Sequence, residues 1–169
     1  MVSNKNREFL TVVALTLAVS VVALGGPKLP DFSGTYMLVG KNKKEAGSIT
    51  TLKVTQTADE IRFVRTEGGK STTSFFELNA GEGEYVTPGG VSGKGKATAK
   101  GKDLVLDSTA FVAPQQGKSP TRLHTKQRWQ LSPDAKTLTI HFDVDFPDMQ
   151  ILNGMMNQSW AEKYVRAND

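Results

Sequence analysis

Hydrophobic and polar residues alternate with a period of two along most of the chain, which predicts β-strands with one buried face. Leu52 and Val54 alternate with threonine and lysine, and Ile61 and Phe63 flank Arg62. The same period is found in residues 36–40, 71–78, 93–99, 104–106, 123–131 and 138–146. Mostly short turns join these runs, with no long helical pattern between them. The pattern predicts an all-β fold, an antiparallel meander of about eight to nine strands.

Two stretches interrupt this alternation. Residues 79–90 are rich in glycine and predict a loop around Glu84-Tyr85-Val86. After Pro147, residues 148–157 predict a short helical segment, and its apolar side is formed by Ile151, Leu152, Met155 and Met156.

The residues that follow, 160–167, fit either period. Trp160 and Tyr164 have the spacing of a helix face, whereas Ala161, Lys163 and Val165 alternate with Glu162 and Tyr164. We favour a closing strand here, because a returning last strand would cover the exposed edge of the first and close the sheet into a barrel.

The N-terminus has the layout of a secretory signal. Lys5 and Arg7 precede an apolar stretch at 9–24, and the small residues Ala23 and Gly25 predict cleavage after Gly25. The alternative is an uncleaved membrane anchor, since the apolar stretch is at the short limit for crossing a bilayer. We expect a signal at 1–25, a linker at 26–31 and one domain at 32–169. The domain would be periplasmic or secreted, with no stable membrane insertion after cleavage.

The amino-acid composition excludes several kinds of chemistry and of partner. The chain has no cysteine, which excludes disulfides, thiol catalysis and a lipoprotein anchor. Removing the signal lowers the net charge from +4 to +3, because Lys5, Arg7 and Glu8 leave with it. The lysines are spread along the chain, and a basic stripe with interleaved aromatic residues is missing, so we expect no nucleic-acid partner.

Three short motifs resemble those of small antiparallel barrels. Phe32-Ser33-Gly34-Thr35-Tyr36 resembles the Gly-x-Trp opening of lipocalins and, more closely, the Phe-x-Gly-Thr-Trp or Tyr opening of fatty-acid-binding proteins. The hairpin at 129–139 is similar to that of bacterial exported lipocalin-like domains, with Ala135 where glycine is usual. Tyr164-Val165-Arg166-Ala167 is similar to the last strand of fatty-acid-binding proteins. The resemblance implies a calycin-like, lipocalin-like barrel whose first aromatic residue plugs the narrow end.

The departures from these families limit what the resemblance implies. Fatty-acid-binding proteins have a helix-turn-helix lid between their first two strands, where this chain has only residues 41–48. Their last strand carries an Arg-x-Tyr pair for the ligand carboxylate. Aligning on Tyr164 places Glu162 where that arginine would be, which would repel a fatty acid. The resemblance therefore implies a barrel but does not transfer a fatty-acid site.

The inner faces of the strands predict either a cavity or a filled core. Gly93, Gly95, Ala97 and Ala99 leave room for a ligand or for larger residues opposite. Thr125 and other inward polar residues would orient an amphipathic ligand or lie near an open rim. The candidate ligand-binding residues are Tyr36, Leu38, Phe63, Arg65, Ala97, Leu106, Gln127, Trp129, Ile140 and Phe142.

One strand carries a weak candidate for a metal site. His141, Asp143 and Asp145 share a face, and imidazole with carboxylates at this spacing suits a divalent cation. The neighbouring strand, however, presents His124, Lys126 and Arg128 on the same face. We therefore favour a cross-strand ladder of opposite charges, and expect no metal and no other cofactor.

No pattern points to catalysis. The chain lacks a Gly-x-Ser-x-Gly motif, and the glycine-rich stretch 89–95 has no following helix that would bind phosphate. We therefore do not expect an enzyme. The expected function is an exported lipocalin-like barrel that binds a small hydrophobic or amphipathic ligand. The alternative is a filled barrel that serves as a structural or protein-interaction module through its outer face or residues 149–156, with an unknown protein partner.

Overall fold

Ten antiparallel strands form one sheet in the part of the chain that the structure, a computed structural model, describes: residues 29–40, 49–78, 81–86, 92–112, 120–147 and 157–167. The strands are β1 (Gly34–Val39), β2 (Thr51–Gln56), β3 (Glu60–Glu67), β4 (Lys70–Glu77), β5 (Gly83–Val86), β6 (Ser92–Lys100), β7 (Asp103–Val112), β8 (Thr121–Leu131), β9 (Thr137–Asp145) and β10 (Gln158–Arg166). Their order in the sheet is β4-β3-β2-β1-β10-β9-β8-β7-β6-β5. The two end strands, β4 and β5, lie beside each other, so the sheet is a nearly closed barrel.

The structure confirms the all-β fold and the closing strand. β10 pairs with β1, where Met37 is opposite Val165, and with β9, where Glu162 is opposite Ile140. Ten strands are close to the predicted eight to nine. The predicted loop around Glu84-Tyr85-Val86 is wrong, since these residues belong to β5 and pair with β6. A run of four residues is too short to show alternation. These residues form a strand because β6 provides their hydrogen-bonding partners.

Some predicted segments lie outside the described residues. They are the signal at 1–25, the chain at 41–48 and all of the predicted helical segment except Asn157. Within the residues that the structure describes, no helix is long and apolar enough to cross a membrane.

The period of two decides which side chains form the core. On β2 and β3, Leu52, Val54, Ile61 and Phe63 are all less than a tenth exposed, while the lysine and arginine between them face solvent. At one end of the barrel the indole of Trp129 lies edge-on to Phe32, with ring centroids 6.0 Å apart, and 5.0 Å from the ring of Phe63. We call the packing around Phe32, Tyr36 and Trp129 the closed end of the barrel.

The opening motif is joined to β10 at this closed end. The guanidinium of Arg166 lies 5.1 Å from the centre of the Tyr36 ring and donates a 2.8 Å hydrogen bond to the Tyr36 hydroxyl. That hydroxyl donates to the carbonyl of Phe32 at 2.9 Å. Gly34 has a φ of +146°, and a Cβ there would lie 3.0 Å from Arg166 Nη1. Glycine is therefore needed both for the backbone and for the stacked arginine.

Candidate ligand-binding site

A cavity of about 350 Å³ lies in the other half of the barrel, which we call the open end. Its volume is at the lower end of the range of about 300–1,000 Å³ that is usual for small-molecule sites. More of its lining surface is apolar than polar. The lining residues are Arg65, Ser108, Ala110, Leu123, Thr125, Gln127, Phe142, Val144, Trp160 and Glu162.

A second space of about 70 Å³ lies toward the core. Its lining residues are Leu52, Phe63, Arg65, Thr72, Ser74, Gln127, Trp129, Ile140, Phe142 and Tyr164. Three side chains, Arg65, Gln127 and Phe142, line both spaces and therefore form their common boundary.

Two stacked aromatic rings form part of the wall of the larger cavity. Phe142 on β9 is directly opposite Trp160 on β10, and their rings are 4.9 Å apart and within 9° of parallel. Trp160 is 42% exposed, whereas Phe142 is partly buried and packs against the core. The stack therefore runs from the core toward solvent, as at the opening of an apolar cavity.

A polar cluster lies on the same wall. Arg65 on β3 binds both carboxylate oxygens of Glu162 on β10, at 2.6 and 3.1 Å. The hydroxyl of Tyr164 donates to Glu162 at 2.5 Å and accepts from Arg65 at 3.1 Å, and Arg65 also contacts Glu67 at 3.3 Å. The side chains of Arg65 and Glu162 are 24% and 11% exposed, and Tyr164 is fully buried. This is a two-pronged, largely desolvated ion pair.

Burial and the ion pair shift the pKa values in this cluster. Burial by itself would lower the pKa of Arg65, but its hydrogen bond to Glu162 and the neighbouring negative charges raise it. Burial also raises the pKa of the Tyr164 phenol, and the hydrogen bond to Glu162 raises it further. Arg65 is therefore charged and Tyr164 neutral at any physiological pH.

Other polar groups on the wall have protein partners. Gln127 is 6% exposed, and its amide oxygen accepts a 3.0 Å hydrogen bond from the indole nitrogen of Trp129. Ser108 is 4% exposed, and its hydroxyl donates to the carbonyl of Thr125 at 3.3 Å. These bonds hold the polar side chains in place around the cavity.

The candidate residues from the sequence fall into two groups, those that line a cavity and those that pack in the core. Phe63, Arg65, Gln127, Trp129, Ile140 and Phe142 line one or both cavities. Tyr36, Ala97 and Leu106 are buried in the core, and Leu38 packs against it.

The small residues of β6 line neither cavity, and they are Gly93, Gly95, Ala97 and Ala99. At Gly93 a Cβ would lie 2.4 Å from the carbonyl oxygen of Thr109, so the small residue there lets β6 approach β7 closely. The residues that sequence reasoning left out, among them Val144, Trp160 and Leu123, line the larger cavity. Alternation along β10 places Trp160 on the same face as Glu162 and Tyr164, and this signal could have identified it.

The predicted charge ladder lies on the outer face of the barrel. His124 on β8 contacts Asp145 on β9 at 3.2 Å and, on its other side, Asp107 on β7 at 2.8 Å. In the same register Lys126 is opposite Asp143, and Arg128 is opposite His141. Among the described residues, no three or more histidine, cysteine or carboxylate side chains are grouped so that they could hold a metal ion. Burial would lower the pKa of His124, but the hydrogen bonds and charges of Asp107 and Asp145 raise it.

Comparison with protein-family models and with curated proteins gives no match. Solved structures do match. The REP1-NXSQ fatty acid transporter is 14% identical with a TM-score of 0.50, covering 82% of this chain and 97% of its own. Lipid binding protein 8 of Caenorhabditis elegans is 12% identical with a TM-score of 0.50, covering 80% and 95%.

A zebrafish ileal bile acid-binding protein complexed with cholic acid gives a TM-score of 0.54 at 12% identity, covering 80% of this chain and 98% of its own. At such identities the likeness establishes the fold alone. The chain therefore has the calycin-like barrel fold that its opening motif and its closing strand indicate.

Proposed function

We propose that this protein binds a small, mostly apolar or amphipathic molecule inside the barrel. The observation that carries the proposal is the cavity of about 350 Å³, whose wall combines the Phe142–Trp160 stack with a few fixed polar groups. A mostly apolar cavity with a few polar groups is typical of small-molecule sites. The three similar structures are named as a fatty acid transporter, a lipid binding protein and a bile acid-binding protein, which supports the same class of ligand.

We also propose that the protein acts by binding alone, in the periplasm or outside the cell. Export is supported by the charged and apolar N-terminal sequence up to Gly25. Binding without catalysis is supported by the cavity wall, where the titratable groups Arg65, Glu162 and Tyr164 are bonded to one another.

A second candidate is a protein-interaction module. It is favoured by exposed apolar side chains on the outer face of β1 and β10, where Met37, Val39 and Val165 are 41%, 50% and 38% exposed. Met37 and Val165 are directly opposite each other in the sheet. A protein-interaction module needs no ligand in the cavity, so an experiment that measures small-molecule binding distinguishes the two candidate functions.

The test is titration of the purified protein with the uncharged dye Nile red, followed by dye fluorescence and by thermal unfolding. We expect saturable binding and a raised melting temperature. Thr125→Phe places a large ring in the cavity and should abolish both effects. The matched control is Thr55→Phe, at an exposed position of β2, which should change neither. Binding that persists in Thr125→Phe would place the dye elsewhere and contradict the proposal.

A further inference from the structure

We propose that the cavity selects an uncharged ligand with a hydrogen-bonding head group, such as an alcohol or an amide, and rejects carboxylates. This inference rests on the proposed function and specifies its ligand class. The feature that carries it is the two-pronged ion pair between Arg65 and Glu162 on the cavity wall.

Arg65 uses four of its five N–H groups on protein partners, so its two terminal nitrogens have no donor left for a ligand carboxylate. It is the one cationic side chain among the described residues that line the two cavities. Both of its terminal nitrogens contact Glu162, one of them also contacts Tyr164, and the other also contacts Glu67. An anionic head group would have to displace Glu162, which is 11% exposed and would be left as an unpaired, desolvated charge.

The local charge also opposes an anion. Arg65 contributes one positive charge, whereas Glu162 and the more exposed Glu67 contribute two negative charges. A ligand carboxylate beside this group would be repelled, and repulsion is stronger in a desolvated site than in water. An ammonium group would be attracted by this net negative charge, but it would lose its hydration and lie beside the guanidinium of Arg65, and the cost of desolvation outweighs the attraction.

An uncharged head group meets neither obstacle. Each carboxylate oxygen can accept more than one hydrogen bond, so Glu162 can accept an O–H or N–H from a ligand without releasing Arg65. Thr125 and Gln127 lie on the same cavity wall and offer further polar groups. The apolar part of the ligand would then lie along Phe142 and Val144 toward Trp160.

The experiment compares four ligands with the same chain, namely decanol, decanamide, decanoate and decylamine. Each competes with Nile red for the purified protein at neutral pH, where decanoate is ionised and decylamine is protonated. We expect decanol and decanamide to bind at least about tenfold more tightly than decanoate or decylamine. If decanoate or decylamine binds as tightly as decanol, this inference is overturned while the proposed function stands. If none of the four displaces Nile red, this inference is overturned, whereas the proposed function fails only if Nile red itself does not bind in the cavity.

A substitution in the ion pair gives a gain of binding. Glu162→Gln removes the negative charge and leaves Arg65 able to pair with a ligand anion, so it should raise the affinity for decanoate about tenfold. Its affinity for decanol should not rise, because an uncharged head group gains no ion pair with Arg65. Glu84→Gln, at an exposed position of β5, is the matched control and should change neither affinity. An unchanged decanoate affinity in a folded Glu162→Gln protein would overturn the inference. The ligand ranking of the unsubstituted protein remains a complete test if that variant does not fold.

Discussion

The two ends of the barrel are built on the same strands but use them differently. At the closed end β8 and β9 contribute Trp129 and Ile140, which are fully or almost fully buried. At the open end the same strands contribute Thr125 and Phe142, which line a cavity of about 350 Å³. The difference shows that close packing and open space are separated along the strands. Packing dominates at the closed end, whereas polar contacts hold the walls at the open end.

The largest effect should come from truncating a ring at each end. Trp129→Ala removes a fully buried indole that contacts Phe32 and Phe63, and should cost about 3–5 kcal/mol of unfolding free energy. Phe142→Ala removes a partly buried ring beside a cavity, and should cost roughly 1–2 kcal/mol. Urea unfolding of both variants measures the difference. Equal losses would mean that the two ends are packed alike.

The next test enlarges a side chain at each end. Ala97 is 4% exposed within the core cluster, so Ala97→Phe should overpack it and cost about 1–3 kcal/mol. Thr125→Phe extends into existing space and should cost less than about 1 kcal/mol. Urea unfolding again gives both values. A cost for Thr125→Phe as large as that for Ala97→Phe would show that the cavity cannot take up a ring.

A smaller effect is expected from the ion pair in the cavity wall. Arg65→Met should destabilise the protein by roughly 1–2 kcal/mol, a value reduced from that of a fully buried pair because Arg65 is 24% exposed. Arg65→Met with Glu162→Met should cost less than the two single substitutions together, by about 1 kcal/mol. The measurement is a double-mutant cycle in urea. Additive losses would show that the two side chains act independently.

The sequence predicts the walls of the barrel better than its site. Alternation alone places Leu52, Val54, Ile61 and Phe63 inside, because the period of two is a local property of a strand. The return of the last strand could also be predicted, since it satisfies an edge that would otherwise be open. β5 was missed because its four residues are too short for a period to be seen.

Long-range pairs could not be predicted in the same way. Glu162 was recognised as standing where an arginine would be, but its partner Arg65 lies 97 residues earlier in the chain. In the charge ladder, the contact of His124 with Asp145 can be predicted from the β8–β9 hairpin alone. Its contact with Asp107 cannot, because that contact depends on the register of β7 against β8. The sequence thus indicates which side chains face inward, and the barrel closure decides which of them meet.

The smallest predicted effect concerns the outer face of the open end, where His124 joins β7, β8 and β9 through Asp107 and Asp145. Because the folded pKa of His124 is raised, its contribution is complete below the unfolded value of about 6.5 and is lost as the pH rises through the folded pKa. The side chain is 33% exposed, so the contribution should be less than about 1 kcal/mol. Urea unfolding between pH 5 and pH 9 should show stability falling through this range.

The fall should be smaller in Asp107→Asn and absent in His124→Ala. Since the closed end is held by apolar packing, the same slope should persist in Trp129→Phe, and its loss there would show that the two ends are not independent.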